Sequence, residues 1–291
     1  MFTRLLIQGL VLGSIYGLIA LGYSLIYKAS GLMTFVQGDI MTLGAFLGLT
    51  FYGALKLPYW LALLLTIAIA FCFGMLLEKG VIRRLLNKNV LPIYVVLATI
   101  AIANILQSAI QLHWGGNTLS FPSIFNVMSV KVFGVNIQPE RLLSMGIALV
   151  VMIVLHFFMS KTRLGTSMRA ASMDAMAAQA CGIDTSLTVG LTWGLSAGLA
   201  AAAGILIGPV FGVASTLGAQ IGRKGFAGAV MGGYGNMYGA MVGGLLLGVS
   251  ETLAAGYISS DYKNIIAYML LILFLFVKPT GIFNEKAIQD V

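Results

Sequence analysis

Residues 60–77, WLALLLTIAIAFCFGMLL, carry no charged side chain and show no alternation of apolar and polar positions. A strand of a membrane barrel would alternate outward apolar and inward polar residues over about ten positions. This run is instead unbroken over the ~18 to 20 residues at which a helix crosses hydrocarbon. Inside lipid each backbone N–H and C=O must find its partner within the segment, and a helix supplies those bonds. The run therefore sets the fold class as an all-α polytopic membrane protein.

Similar runs extend outward on both sides, at about residues 5–27, 35–54, 58–79, 92–112, 142–159, 186–207 and 264–278. A glycine-rich region, 208–256, has room for one or two more crossings, partly as broken or re-entrant segments. The expected total is about eight or nine transmembrane helices. Of the 291 residues only 9% are charged, and mean hydropathy is +0.97. No polar block is large enough for a second domain, so residues 1–291 read as one transmembrane domain. The first run exceeds the ~7 to 15 residues of a signal-peptide core and follows a single basic residue, Arg4, so it reads as a retained helix.

The chain has 17 Lys and Arg against 9 Asp and Glu, a formal net charge of +8. No basic cluster is large enough for a nucleic-acid groove, and the excess reads as membrane topology. Lys79, Arg83, Arg84 and Lys88 mark one loop and Lys161, Arg163 and Arg169 another, whereas 113–141 carries only Lys131 and Arg141. The first two loops are expected in the cytoplasm, which puts the N-terminus outside. Lys278 and Lys286 favour a C-terminus inside. Cys72 and Cys181 sit in unlike surroundings and read as free thiols, and His113 and His156 lack metal-ligand spacing.

Many of the 36 glycines are spaced by four, as in Gly9, Gly13 and Gly17, or Gly244 and Gly248. Such spacing lets helix backbones approach closely where lipid gives no hydrophobic drive to associate. The cluster MGGYGNMYG (231–239), with Gly232, Gly233, Gly235 and Gly239, reads as a broken helix, tolerated where protein or a water-filled cavity surrounds it. Residues 115–140 are rich in β-branched and turn residues and are expected to form a short hairpin or cap.

Polar residues at membrane depth are the candidate translocation pathway. Asn104, Gln107, Ser108 and Gln111 fall at i, i+3, i+4 and i+7, one stripe of a helix. A stripe facing lipid is expensive, so it faces protein or water, either bonding another helix or lining a route for a polar solute. Asp39, two residues after Gln37, and Glu251 are acids in or beside apolar runs, which makes them functional candidates by default. Asp39 lies near a helix end and reads equally as a solvated or capping residue. Arg223 and Lys224 interrupt the glycine-rich region and read either as partners for a substrate carboxylate or as snorkelling cations.

Residues 162–185, TRLGTSMRAASMDAMAAQACGIDT, are too polar to enter a bilayer and too short for a domain. Their Ala and Met content predicts a short helix, started by a Ser or Thr cap near 166–167 and ended at Gly182. Such a helix suits a groove in a partner. The stretch resembles the coupling loop of permease subunits of bacterial ABC importers, in particular the branched-chain amino-acid permease family of LivH type. That loop reads LGxxMRAxxxDxxAAxxxGI, and Leu164, Gly165, Met168, Arg169, Ala170, Asp174, Ala177, Ala178, Gly182 and Ile183 stand at those places.

The resemblance continues through residues 13–46 and 222–251, close to the family's N-terminal and C-terminal signatures. Where the family often has Asn-Phe-Ala-His-Gly-Glu, this chain has Thr34-Phe35-Val36-Gln37-Gly38-Asp39, changes that keep polarity and approximate size. It implies a permease of the bacterial inner membrane for amino acids, with branched-chain ones the family's prime case. It also implies a second homologous permease, two cytoplasmic ATPases and a periplasmic substrate-binding protein as partners. ATP and magnesium would belong to the ATPases, and Arg163 joins the loop residues above as a coupling candidate. The loop at 161–185 would then carry ATP-driven closure into alternating access.

Three other readings are weaker. Gly194–Gly198 fits G-x-S-x-G, but a hydrolase elbow needs a strand-turn-helix and this Ser lies in an apolar run. No G-x-x-x-x-G-K-[ST] pattern occurs, and no paired catalytic groups stand at depth, so an enzyme is not expected. The rival function is an ion or small-solute channel, with Gly233-Tyr234-Gly235 as filter. The Thr-Val that precedes such a filter is replaced by Met231 and Gly232.

Overall fold

The computed structural model describes residues 2–88, 90–125, 129–132, 135–259 and 262–283, and the apolar runs within them are helices. In chain order these are α1 (Phe2–Ser30), α2 (Gln37–Leu49), α3 (Tyr59–Leu77), α4 (Arg83–Leu86), α5 (Pro92–Trp114), α6 (Pro139–Lys161), α7 (Arg163–Met173), α8 (Ala175–Ala180), α9 (Thr185–Phe211), α10 (Leu217–Gly232), α11 (Met237–Tyr257) and α12 (Lys263–Val277). A π-helical turn, Thr50–Ala54, prolongs α2, and a second, Glu78–Ile82, joins α3 to α4 in one rod. Pro92 and Pro139 open α5 and α6, where a missing N–H costs nothing. Between those two helices β1 (Val130–Val132) and β2 (Val135–Ile137) pair antiparallel, and Leu119 bonds Val213 in an isolated bridge.

Six of the described helices are long and apolar enough to cross a membrane: Phe2–Ser30, Tyr59–Leu86, Pro92–Trp114, Pro139–Lys161, Thr185–Phe211 and Met237–Tyr257. That is fewer than the eight or nine expected from hydropathy. The difference lies in α2, α10 and α12, of 13, 16 and 15 residues. At 1.5 Å per residue they reach only about 20 to 24 Å, short of the ~30 Å of hydrocarbon.

α1 and α9 form the centre, with most of their apolar windows enclosed, while α3, α5 and α6 keep only 28% of theirs buried and form the periphery. α1 runs antiparallel to α11, and the four-residue glycine spacing lets the two touch. A Cβ on Gly244 would run into the backbone of Gly17, and one on Gly248 into that of Gly13. α2 lies on α9 in the same way, with Gly44 against Ala201 and Gly48 against Ile205.

The two short glycine-containing helices start inside the bundle. Gln37, first residue of α2, reaches Ser196 near the middle of α9. Gly38 packs on Gly218 at the start of α10, and Thr42 Oγ1 accepts from the Gly218 N–H at 2.8 Å. From this meeting point α2 runs toward the end of α5, where Trp114 Nε1 donates to Thr50 Oγ1 at 3.0 Å. α10 runs the opposite way, to a break at residues 233–236. There Gly233 and Gly235 take φ of +109° and +100°, and Asn236 caps α11 by accepting from the Gly239 N–H.

The chain returns to this break after α12: the N–H groups of Ile282 and Phe283 donate to Met231 and Gly232 carbonyls. Tyr238, just beyond the break, bonds His156 near the end of α6, so Lys278 and the arginines of α7 share one end of the bundle. Lys286, the other lysine of the topology expectation, lies outside the described residues.

Candidate functional site

Two regions gather the residues singled out from the sequence. The first is a polar layer at half depth. Gln37 is fully buried and donates through Nε2 to the Ser196 carbonyl at 2.6 Å and to Ser196 Oγ at 2.8 Å. Ser196 Oγ in turn donates to the Gly22 carbonyl at 2.7 Å, which ties α1, α2 and α9 together. Asp39 is buried in the first turn of α2, where the helix N-terminus favours an acid. It is neither solvated nor the cap, which is Val36, without a side-chain bond.

The stripe on α5 points away from this chain's own core. Asn104, Ser108 and Gln111 are exposed and Gln107 is half-buried, while Ala103, Leu106 and Ile110 face inward. Of the four, Gln111 bonds another segment, donating to Ser215 Oγ at 3.2 Å. That contact joins the end of the stripe to an exposed polar row formed by Thr216, just before α10, and Gln220 and Arg223 on it.

Behind that row Lys224 Nζ lies 2.5 Å from Glu251 Oε1, and Tyr16 Oη donates to Glu251 Oε2 at 3.0 Å. Lys224 and Glu251 are both buried. Lys224 therefore neither snorkels nor stands open to a substrate carboxylate, because an acid on the next helix holds it. Arg223 is exposed, and its Nε donates to the Ala219 carbonyl one turn back.

The second region is the polar loop, which forms two helices rather than one. Thr162, not a residue at 166–167, caps α7 by accepting from the Gly165 N–H at 3.0 Å, since its φ and ψ of −94° and 153° are extended while 166–167 are already helical. Asp174 breaks the helix with an extended backbone and caps α8 by accepting from the Ala177 N–H at 2.9 Å. Gly182 ends α8 with φ of +81°, and the Ile183 N–H closes the turn on the Ala178 carbonyl.

Gly165, Met168 and Ala178 are buried; a Cβ on Gly165 would strike the backbone of Phe158 and Met159 on α6. Arg163, Arg169 and Asp174 are exposed, and Arg169 borders a cavity of about 210 Å³ walled by α1, α6 and α11 through Leu25, Met152, His156 and Tyr238. The loop thus sits directly on the helix ends, with its buried face turned to the bundle and its arginines turned out.

A family profile described as "Branched-chain amino acid transport system / permease component" matches residues 5–275. The chain belongs to this permease family. The permease is 33% identical over its whole length to the high-affinity branched-chain amino acid transport system permease protein LivH of Salmonella typhimurium, covering 98% of that protein. It is 32% identical to BraD of Pseudomonas aeruginosa, with 100% and 98% of the two chains covered. Among solved structures, PsaBC from Streptococcus pneumoniae in complex with Fab shares the fold at a TM-score of 0.52 and 11% identity, over 94% of this chain and 91% of that one.

The permease is a multi-pass protein of the bacterial inner membrane and a transport subunit, not an enzyme. The channel alternative gains no support: Tyr234 of the Gly-Tyr-Gly segment packs its ring on Tyr27 and Phe226. The G-x-S-x-G serine, Ser196, is a junction between helices. The sequence reading overlooked Tyr16 and Gln220, and it weighed Ser196 only as a hydrolase nucleophile. A period-of-four reading of Thr216, Gln220 and Arg223 would have found Gln220; the Tyr16 and Ser196 partners are distant in sequence and leave no local signal.

Proposed function

We propose that the permease moves branched-chain amino acids inward as one half of an ABC importer. It pairs with a second homologous permease, docks two cytoplasmic ATPases that hold ATP and magnesium, and receives its solute from a periplasmic binding protein. Residues 1–291 act as one transmembrane domain, with the coupling loop at 161–185 on the cytoplasmic side. α2, α10 and α12 supplement the six long spans to reach eight or nine membrane segments, α2 and α10 as half-crossings.

The observation that carries the reading is the exposed polar stripe on α5 beside the exposed row on α10. Hydrocarbon is a poor solvent for Asn104, Ser108, Gln111, Gln220 and Arg223, so a partner and a water-filled route between the two permeases are the natural cover. Gln37, Asp39, Gln107 and Glu251 stand behind that face. Arg163, Gly165, Met168, Arg169, Asp174, Ala178, Gly182 and Ile183 form the loop that turns ATPase motion into rocking of α6 and α9, with the break at Gly232, Gly233, Gly235 and Gly239 as a flexible joint.

The test is ATP-driven leucine uptake by the assembled complex carrying Arg169→Glu together with Asp174→Arg. Uptake should fall at least tenfold, with the ATPases lost on purification. Unchanged uptake sinks the coupling role.

A further inference from the structure

We infer that the cavity between α1, α10, α11 and α12 is a carboxylate station on the solute's route, with Arg223 as the group that meets the carboxylate. The inference rests on the permease reading above and adds the chemistry by which this chain itself recognises what it moves.

The cavity holds about 620 Å³ and is lined by Gln220, Arg223, Lys224, Glu251, Lys263 and Tyr268, among others. A water occupies about 30 Å³, so there is room for a small solute with part of its hydration. Its charges do not balance. Glu251, the one acid in the lining, has one oxygen on Lys224 and the other on Tyr16, and so is fully engaged. Arg223 and Lys263 then remain, and among the described residues neither has a carboxylate within ion-pair distance. Lys224 and Tyr16 together keep Glu251 from closing on Arg223, whose Nε is held by the Ala219 carbonyl and whose two terminal nitrogens are left to meet a solute.

Depth decides what kind of anion arrives. Tyr16 lies at the middle of the 29-residue α1, and Gly225, two residues beyond Arg223, packs on Ile19 of the same helix. Arg223 is therefore near mid-membrane, about 15 Å from either edge of the hydrocarbon and further still from the lipid phosphates. A lipid headgroup does not reach it, whereas a solute in a water-filled route does. An arginine exposed on a half-length helix at this level is costly against hydrocarbon, and its planar fork matches a carboxylate in two-point contact. The link from Gln111 to Ser215 brings the last residue of the α5 stripe next to Ala214 and Thr216, which line the same cavity. A zwitterion can then slide with its carboxylate on the arginine and its ammonium among neutral amides and hydroxyls.

The test uses the assembled complex in vesicles, with Cys72→Ser and Cys181→Ser removing the two native thiols and Gln220→Cys placing one beside Arg223. The thiol is modified in parallel with a sulfonate-bearing and a trimethylammonium-bearing methanethiosulfonate. A focused positive field should favour the sulfonate reagent about tenfold. Arg223→Gln should bring the ratio close to one, Arg223→Lys should restore part of it, and leucine should slow the sulfonate reaction. Lys263→Gln, measured the same way, should lower the ratio less and guards against an Arg223→Gln complex that does not assemble. A ratio near one in the parent, or one that neither substitution changes, overturns the inference. Uptake by the unsubstituted complex separates the two readings: ATP-driven leucine import by that complex beside a charge-blind Gln220→Cys removes the carboxylate station alone, whereas no import by that complex removes the permease reading beneath it.

Discussion

Gln37 Nε2 lies 2.6 Å from the carbonyl oxygen of Ser196 and 2.8 Å from its Oγ, so one amide fastens the start of α2 to the middle of α9. Because Ser196 also donates to Gly22, the junction fixes three helices at the level where α2 and α10 begin. Gln37→Leu removes both donated bonds and should destabilise the protein by about 1 to 2 kcal/mol, the range for hydrogen bonds between membrane helices. Gln37→His keeps a donor and should cost less. Thermal unfolding in mild detergent, read side by side for the two variants, checks the order; equal losses would mean that the side chain's volume matters and its donors do not.

A Cβ at Gly244 would collide with the backbone of Gly17, so α1 and α11 must separate to admit one. Gly244→Ala should cost about 1 to 3 kcal/mol by overpacking. Gly146 lies inside α6 with no neighbouring atom within 4 Å of a Cβ, and Gly146→Ala should instead gain up to about 1 kcal/mol from helix propensity. Unfolding midpoints of the two single variants should move in opposite directions, and a shared direction would refute the close-approach argument.

These two cases show what the sequence made legible and why. Unbroken apolar runs identify helices because period-two alternation is missing, and glycines four apart mark close approach because the spacing itself makes the groove. The break after Gly232 was readable from glycine density, and the polar loop from its isolation. What was not readable depends on partners remote in sequence. The starting depth of α2 is set by Gly38 meeting Gly218, and the fate of Lys224 by Glu251 on another helix. A stripe such as Asn104, Ser108 and Gln111 declares that one face is polar but not whether this chain or a partner covers it. The split at Asp174 contains neither Gly nor Pro; the acid ends α7 by capping α8, a choice between two allowed conformations that composition leaves open.

The Lys224–Glu251 pair is neutral only as a pair. Lys224→Met leaves a buried, unpaired carboxylate and should cost about 3 to 5 kcal/mol, whereas Lys224→Met with Glu251→Met should recover most of that loss. The double variant still strands the Tyr16 hydroxyl, so adding Tyr16→Phe should recover a further fraction. Yields and unfolding midpoints of the series in detergent test the ordering. A double variant less stable than Lys224→Met would show that the two charges do not act as a unit.

Met173 and Met176, on either side of the Asp174 break, are 76% and 83% exposed, an unusual place for two long apolar side chains in a polar loop. Their flexible thioethers suit a groove that changes shape, as the cleft of an ATPase does through its cycle. Neither side chain packs on the bundle, so Met173→Ser with Met176→Ser should leave the permease's own stability within about 0.5 kcal/mol. Losing two such anchors from an interface core should nevertheless weaken ATPase docking by at least tenfold, because anchors of this kind carry most of a contact's energy. Co-purification of the ATPases and ATP-driven uptake should fall together while the detergent unfolding midpoint stays fixed. If docking survives, Met173 and Met176 are not anchors, and the Arg169→Glu and Asp174→Arg swap remains as the test of the proposed coupling loop.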